Sequence, residues 1–568
     1  MKKNIIIVTC LMGACGFTDS PKDKFRVPEV RITIPVSNVT TKDVDVLFQV
    51  DSSNCMRGDQ EILKSSMFKF VRLLQNTPGG MPNMHIGVIT SDVGPGITQY
   101  PDCVSEGNDG LLVKGGCSNP EGSAFVVDVN PAGCQVNRTE FDTCSSHDCS
   151  AENCLGSAFI SQGRALEPDD LELVMDDKGC PRCRNYGVEK LDDVLKCMVD
   201  VGTSGCSFEM HFESLRRAFV PGKNPGFIRE GAVLAYLLTA DEDDCTVSDR
   251  RFFDFEDISL DGELGPASKF RCTEHGLICD QPWKRTFEPN QGEVTYTGCR
   301  PRTEDDENNL LMPVSEISEF FAGIKPRELL IARAIAGPYN EGIVKVTKDE
   351  NSWPNFFPIC GGDISNGARN GIRIREFINQ LIQYDRDIEN AVTSICDPSF
   401  EAKIDEFVGK IQSTINGYCP VSPIAGCPDP GFSLEGTKIT SLGNDFSAVC
   451  DPYCKVTDIS PDGTSINIEK CSTDYASGHP EIIDPALPVQ ACFHAVYDAE
   501  CAKGENFGPS RGIRIVVSRR AKPAPGILTT ADCATIPISE AGLCLDDIDN
   551  DYDGLVDTDD PDCLGLIL

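Results

Sequence analysis

Apolar positions in this chain come in two patterns: short unbroken runs, and residues spaced three and four apart. The first run, Val44, Val46, Leu47, Phe48 and Val50, is branched and aromatic, and it predicts a strand buried on both faces. It stops at Asp51, Ser52, Ser53, Asn54 and Cys55, small oxygen-rich residues suited to a loop at a strand's carboxyl end. Ile62, Leu63, Met67, Phe70, Val71 and Leu74 then follow helical spacing, with Asp59 as the expected N-cap. Met84–Thr90 is a second run, ending in Ser91 and Asp92.

Between about 101 and 197 the pattern dissolves into cysteine-dense, Gly-rich sequence, read as an insertion stapled by disulfides. Order resumes with Val201-Gly202-Thr203 leading into a helix with Phe208, Phe212, Leu215 and Phe219 on one face. Ala232–Thr239 is a third buried run, entering Ala240, Asp241, Glu242, Asp243, Asp244 and Cys245. A second insertion covers about 246–305. A helix with Val314, Ile317, Phe320 and Phe321, the strand Leu329–Ile335 and a helix with Ile374, Phe377, Ile378, Leu381 and Ile382 follow. This alternation predicts an α/β fold: a doubly wound, mostly parallel sheet covered on both faces, over residues 41–390. Beyond it, residues 391–535 read as a helix plus a small cysteine-rich β domain, with strand-like runs at Ser465–Ile468 and Gly512–Val517. Residues 536–568 form an acidic tail.

Charge and cysteine content narrow the functional classes. The 568 residues carry a formal net charge of −37, which removes the basic stripe that a nucleic-acid partner requires. Twenty-nine cysteines spread end to end imply an oxidising compartment. Lys2 and Lys3 before the apolar run Ile5–Val8 read as a secretory signal over residues 1–15, too short to span a bilayer. Met12-Gly13-Ala14-Cys15 resembles a bacterial lipobox, which implies lipidation of Cys15 and a tether over 16–40. The expected location is therefore outside the inner membrane, lipid-anchored at the outer membrane. Loss of Cys10 and modification of Cys15 leave 27 of the 29 cysteines, an odd number, and Cys55 is the one expected to lack a partner.

The loop Asp51–Cys55 resembles the first metal-binding motif of von Willebrand factor A (VWA) domains, D-x-S-x-S, with Cys55 in place of the last serine. In that family a threonine before a helix and an aspartate after a central strand complete the site. Thr203 and Asp241 stand at those places. The resemblance implies Mg²⁺ or Mn²⁺ held by Asp51, Ser53, Cys55, Thr203 and Asp241, with one position open for an acidic group of a protein or surface partner. A thiol is a poor ligand for a hard cation, so Cys55 implies weak binding, a softer metal or a vestigial site. LTADEDDC, GTSGCSFE and NPGFIRE together resemble large VWA-containing bacterial lipoproteins of the deltaproteobacterial type. Glu242, Asp243 and Asp244 are read as a solvated acidic turn, with a second cation site as the alternative.

In the tail, Asp549, Asp551, Asp553, Gly554, Asp557 and Asp560 have the spacing of an EF-hand loop. Without obvious flanking helices, the stretch more closely resembles thrombospondin type 3 repeats, implying Ca²⁺ with Cys544 and Cys563 as a staple. Catalytic patterns are missing: the six histidines form no H-E-x-x-H, and no P-loop or G-x-S-x-G occurs. Cys180-Pro181-Arg182-Cys183 has redox spacing but lies in the insertion, where two structural disulfides explain it better. The chain is therefore read as a non-enzymatic adhesion or binding lipoprotein. A structural envelope component with an inactive site is the alternative, and a hydrolase or thiol oxidoreductase the third class.

Overall fold

In the computed structural model the described residues are 30–36, 42–77, 80–94, 107–132, 134–138, 144–147, 149–155 and 170–382, the last with short breaks at 255, 257, 288–290, 327–328, 339–341, 350–352 and 361–366. They continue with 391–416, 424, 433–434, 437–438, 452–460, 463–471, 491–497, 513–519 and 527–535. Cys15, Cys544, Cys563 and the five tail aspartates Asp549, Asp551, Asp553, Asp557 and Asp560 lie outside them.

The buried runs become the strands of one eight-stranded sheet. Its members are β1 (Asp43–Val50), β2 (Asn83–Thr90), β3 (Phe125–Val129), β4 (Glu172–Met175), β5 (Pro181–Arg184), β6 (Val233–Ala240), β7 (Leu330–Ala336) and β8 (Val392–Ser394). Their spatial order is β8-β7-β6-β1-β2-β3-β5-β4. The five from β8 to β2 are parallel, and β3, β5 and β4 extend the sheet in antiparallel pairs.

Strand alternation sends Val44, Val46, Phe48 and Val50 to one face and Leu47 to the other. The first face is covered by α1 (Arg57–Gln75), α2 (Leu191–Met198) and α7 (Glu401–Asn416), where Phe48, Phe70 and Phe407 pack edge-on and stacked. The second is covered by α3 (His211–Ala218), α5 (Val314–Ala322) and α6 (Ile372–Ile382) through Phe212, Phe321 and Phe377. Burial on both sides is why these strands read as continuous apolar runs.

Four expectations are corrected. Part of the segment expected to be a separate insertion supplies β3, β4 and β5, so it widens the sheet itself. The α/β unit does not stop at 390: β8 is its edge strand, and α7 buries Ile404, Phe407, Val408 and Ile411 in its core. Val30–Pro35, inside the expected tether, is a strand paired with Leu528–Thr535 in a four-stranded sheet with Cys454–Ile459 and Ser465–Ile468. Asp59 is not an N-cap, because a 3₁₀ turn over Asn54–Met56 runs into α1 and moves its start to Arg57.

Nine disulfides have both partners among the described residues. Such density fits an extracytoplasmic protein. Cys180 pairs with Cys144 and Cys183 with Cys154, so the C-x-x-C spacing is two structural bridges. No described helix is long and apolar enough to cross a membrane.

Candidate metal centre

From β1 the chain goes to β2 on one side, whereas the chain leaving β6 builds outwards on the other. The order therefore switches between β1 and β6, and ligands of open α/β sheets bind beyond the strand carboxyl ends at such a point. The Asp51 loop follows β1 and the Asp241 loop follows β6, and Asp51 N donates to Thr239 O at 3.0 Å. Both aspartates are essentially inaccessible, at 0% and 1% exposure.

The first loop is held by its own polar atoms. Asp51 Oδ1 accepts from Ser53 N at 2.8 Å and from Ser91 Oγ at 3.1 Å. Ser53 Oγ donates to Asp241 Oδ1 at 3.4 Å. Gln60 Nε2, on the buried face of α1, donates to Asp51 O at 2.8 Å and to Gly202 O at 2.9 Å, tying the Thr203 loop to the site. Gly205 N donates to Ser52 O at 2.9 Å, and a Cβ at Gly205 would lie 2.3 Å from Ser52 Oγ. The described contacts thus bring the Thr203 backbone region to the site, with no hydrogen bond from its hydroxyl to Asp51 or Asp241. Asp51, Ser53 and Asp241 are brought together through Ser53, whose amide bonds Asp51 and whose hydroxyl bonds Asp241.

Buried polar atoms left without a hydrogen bond mark the centre. Among the described residues, Asp51 Oδ2, Asp241 Oδ2, Ser52 Oγ and both ring nitrogens of His211 have none. His211 Nε2 lies 3.9 Å from Asp51 Oδ2. Each such atom costs about 1–3 kcal/mol when nothing satisfies it. Burial, reinforced by repulsion from Asp51 and Glu242, pushes the Asp241 carboxyl well above the usual carboxylate range. A divalent cation beside these oxygens reverses that bias, so the residues present fit such an ion.

The acidic run after Asp241 is not the solvated turn expected from its charge. Burial alone would raise Glu242, but Arg369 at 2.9 Å and Lys269 hold its carboxyl below the usual range. Lys269 Nζ also approaches Glu209 Oε1 at 3.4 Å. Burial and then repulsion from Glu242 push Glu209 far upwards. Asp243 accepts from Arg373 N and Ile374 N at the start of α6, and burial lifts it to about 6. Asp244 accepts from Phe212 N at the start of α3, from Thr246, and from the Arg373 guanidinium at 3.0 Å. Helix amides and buried cations from distant segments occupy these carboxylates, which is why they are not solvated.

Cys55 sits on the 3₁₀ turn, half-buried, with a thiol that donates to Asn54 Oδ1 at 3.2 Å. Burial pushes this thiol up to about 12. Its sulfur, an oxygen of Asp241 and an oxygen of Glu242 all lie within 4.8 Å of one another.

Sequence reasoning missed Gln60, His211, Glu209, Lys269 and Arg369 as parts of the centre. Gln60 had a signal, being a polar residue on the stripe of Leu63, Met67, Phe70 and Leu74. Lys269 had none: it lies in an insertion and reaches the site because Cys245–Cys272 ties its helix, α4 (Lys269–Gly276), to the loop after β6.

No protein-family model and no curated protein matches this chain. Among solved structures, the pilus adhesin RrgA from Streptococcus pneumoniae aligns over 89% of this chain at 11% identity, with a TM-score of 0.18. This chain spans only 57% of that adhesin. A likeness at that score carries no argument about fold or function.

Proposed function

We propose that this chain is an extracytoplasmic binding protein of VWA type, in which Asp51, Ser53 and Asp241 build the site of a divalent cation that bridges to an acidic group on a protein or surface partner. The observation that carries this reading is the pair of buried, unsatisfied oxygens, Asp51 Oδ2 and Asp241 Oδ2, on the two loops that follow the strands flanking the switch point. A parallel sheet with β1 between β2 and β6 supports the open α/β part of that reading, with both loops at the carboxyl ends of neighbouring strands. The ion supplies a Lewis-acidic position open to a partner oxygen. The chain's own part is to orient Asp51 through Ser91 and Ser53, to tie the Asp51 and Gly202 loops through Gln60, and to reach Asp241 through Ser53.

Membrane attachment through a lipid on Cys15 and Ca²⁺ binding by Asp549, Asp551, Asp553, Asp557 and Asp560 belong to the same proposal. Modules of the calcium class bind at about 10⁻⁴ to 10⁻³ M. Cys15→Ser releases the protein from the membrane fraction, and Ca²⁺ protects the tail from proteolysis in that range.

One observation favours a second reading, a structural envelope protein with an inactive site: Lys269 already places a positive charge on Glu242. Water-proton relaxation with Mn²⁺ separates the two. Under the binding reading, full-length protein enhances relaxation, a glutamate-rich peptide lowers the enhancement by displacing metal-bound water, and Asp51→Ala abolishes both. No enhancement, or enhancement indifferent to the peptide, favours the inactive site.

A further inference from the structure

Three ligand atoms, one thiol sulfur and two carboxylate oxygens, come together at Asp241. They belong to Cys55, Asp241 and Glu242, and lie within 4.8 Å of one another. Asp241 is 1% exposed and its Oδ2 has no hydrogen bond, so one polar atom of the group is buried and unsatisfied. Cys55 is half-buried, which leaves a route from solvent. Resting on the reading above that this site takes a cation, we propose that the cation is thiophilic, of the Zn²⁺ class, bound by Cys55 Sγ with carboxylate oxygens of Asp241 and Glu242.

The donor set argues for this choice. Mg²⁺ demands near-octahedral oxygen ligation at short distance, and a sulfur at the second hydroxyl position of the loop removes one oxygen. Zn²⁺ accepts sulfur and carboxylate together, and sites with three protein ligands leave a fourth position open. That open position is where a partner carboxylate would enter. Tetrahedral bonds of about 2.0–2.3 Å set neighbouring ligand atoms roughly 3.5 Å apart, so the three atoms have at most about 1 Å to close. Side-chain rotation at Cys55, which gives up its bond to Asn54, accommodates this. The thiol proton, together with any proton the Asp241 carboxyl holds at that pH, passes to solvent as the metal binds. Glu242 exchanges part of its pairing with Lys269 for the metal, and Lys269 keeps Glu209 as a neighbour. Ser53, itself held by Asp51, then steadies Asp241.

Titration of the full-length protein with Co²⁺, Zn²⁺ and Mg²⁺ tests the inference. Co²⁺ is expected to produce a thiolate-to-metal charge-transfer band in the near ultraviolet that Zn²⁺ displaces and millimolar Mg²⁺ does not. In Cys55→Ser the band disappears, Zn²⁺ affinity drops at least about tenfold, and Mg²⁺ or Mn²⁺ affinity rises. Protection of Cys55 from alkylation by Zn²⁺ in the wild type reads the same ligation without a variant. Binding of a cation with no sulfur band and no protection of Cys55 overturns the thiophilic assignment while leaving the cation site standing. Failure of both wild type and Cys55→Ser to bind any of the three ions overturns the inference together with the reading beneath it.

Discussion

Ser53 Oγ donates to Asp241 Oδ1 across 3.4 Å, although 188 residues separate them. The contact joins the loop after β1 to the loop after β6, and both loops owe their place to parallel strands in register from Val44–Val233 to Val50–Thr239. It leaves Asp241 Oδ2 unsatisfied. Under the proposed reading, that bare oxygen is a ligand position for the cation.

Lys269 is the internal counter-charge of this centre. Lys269→Met removes its charge from Glu242 and Glu209 while Arg369 remains, so the expected loss is about 3 kcal/mol, the low end for a broken buried pair. A divalent cation should restore more stability to this variant than to the wild type. Thermal denaturation in EDTA and in Zn²⁺ or Mn²⁺ measures both terms, and equal cation effects in the two proteins would contradict the assignment.

Asp241 sets a pH dependence whose sign follows from its raised pKa. Without metal, the folded chain retains this proton to higher pH than the unfolded chain does. The native state then binds more protons, so this contribution falls as pH rises from about 3.9 towards the folded value. Asp241→Asn lacks the titration. In EDTA the variant should therefore gain stability relative to wild type as pH rises through that window. Saturating cation should flatten the difference. A difference indifferent to pH in EDTA contradicts the argument.

Asp244 and Asp243 should separate sharply in a urea-denaturation comparison. Asp244→Ala strands the buried Arg373 guanidinium and uncaps α3, an expected cost of about 3–5 kcal/mol. Asp243→Ala removes a cap on α6 alone, about 1 kcal/mol. Near-equal losses would show that the Arg373 pairing is not what holds Asp244.

Much of the α/β core was legible because burial on both faces imposes apolar runs, and because the carboxyl ends of parallel strands collect the polar loops. Asp51, Ser53 and Asp241 follow from that rule. What stayed hidden depends on partners distant in sequence and free of periodicity. Asp243 and Asp244 read as solvated because the amides of Arg373 and Phe212 that neutralise them begin other helices. Lys269 comes from an insertion whose position is fixed by Cys245–Cys272. Val30–Pro35 has too short a pattern to announce its pairing with Leu528–Thr535 near the other end of the chain. Strands β3, β4 and β5 were concealed by the cysteine-rich loops around them.

The most direct measurement is anomalous diffraction from crystals of the full-length protein soaked separately in Mn²⁺ and Zn²⁺. The account predicts one strong peak in contact with Asp241, between the Asp51 loop and Glu242, lost in Asp241→Ala crystals. No peak there in either soak, or peaks confined to exposed carboxylates, would contradict the claim that Asp51, Ser53 and Asp241 build a cation site.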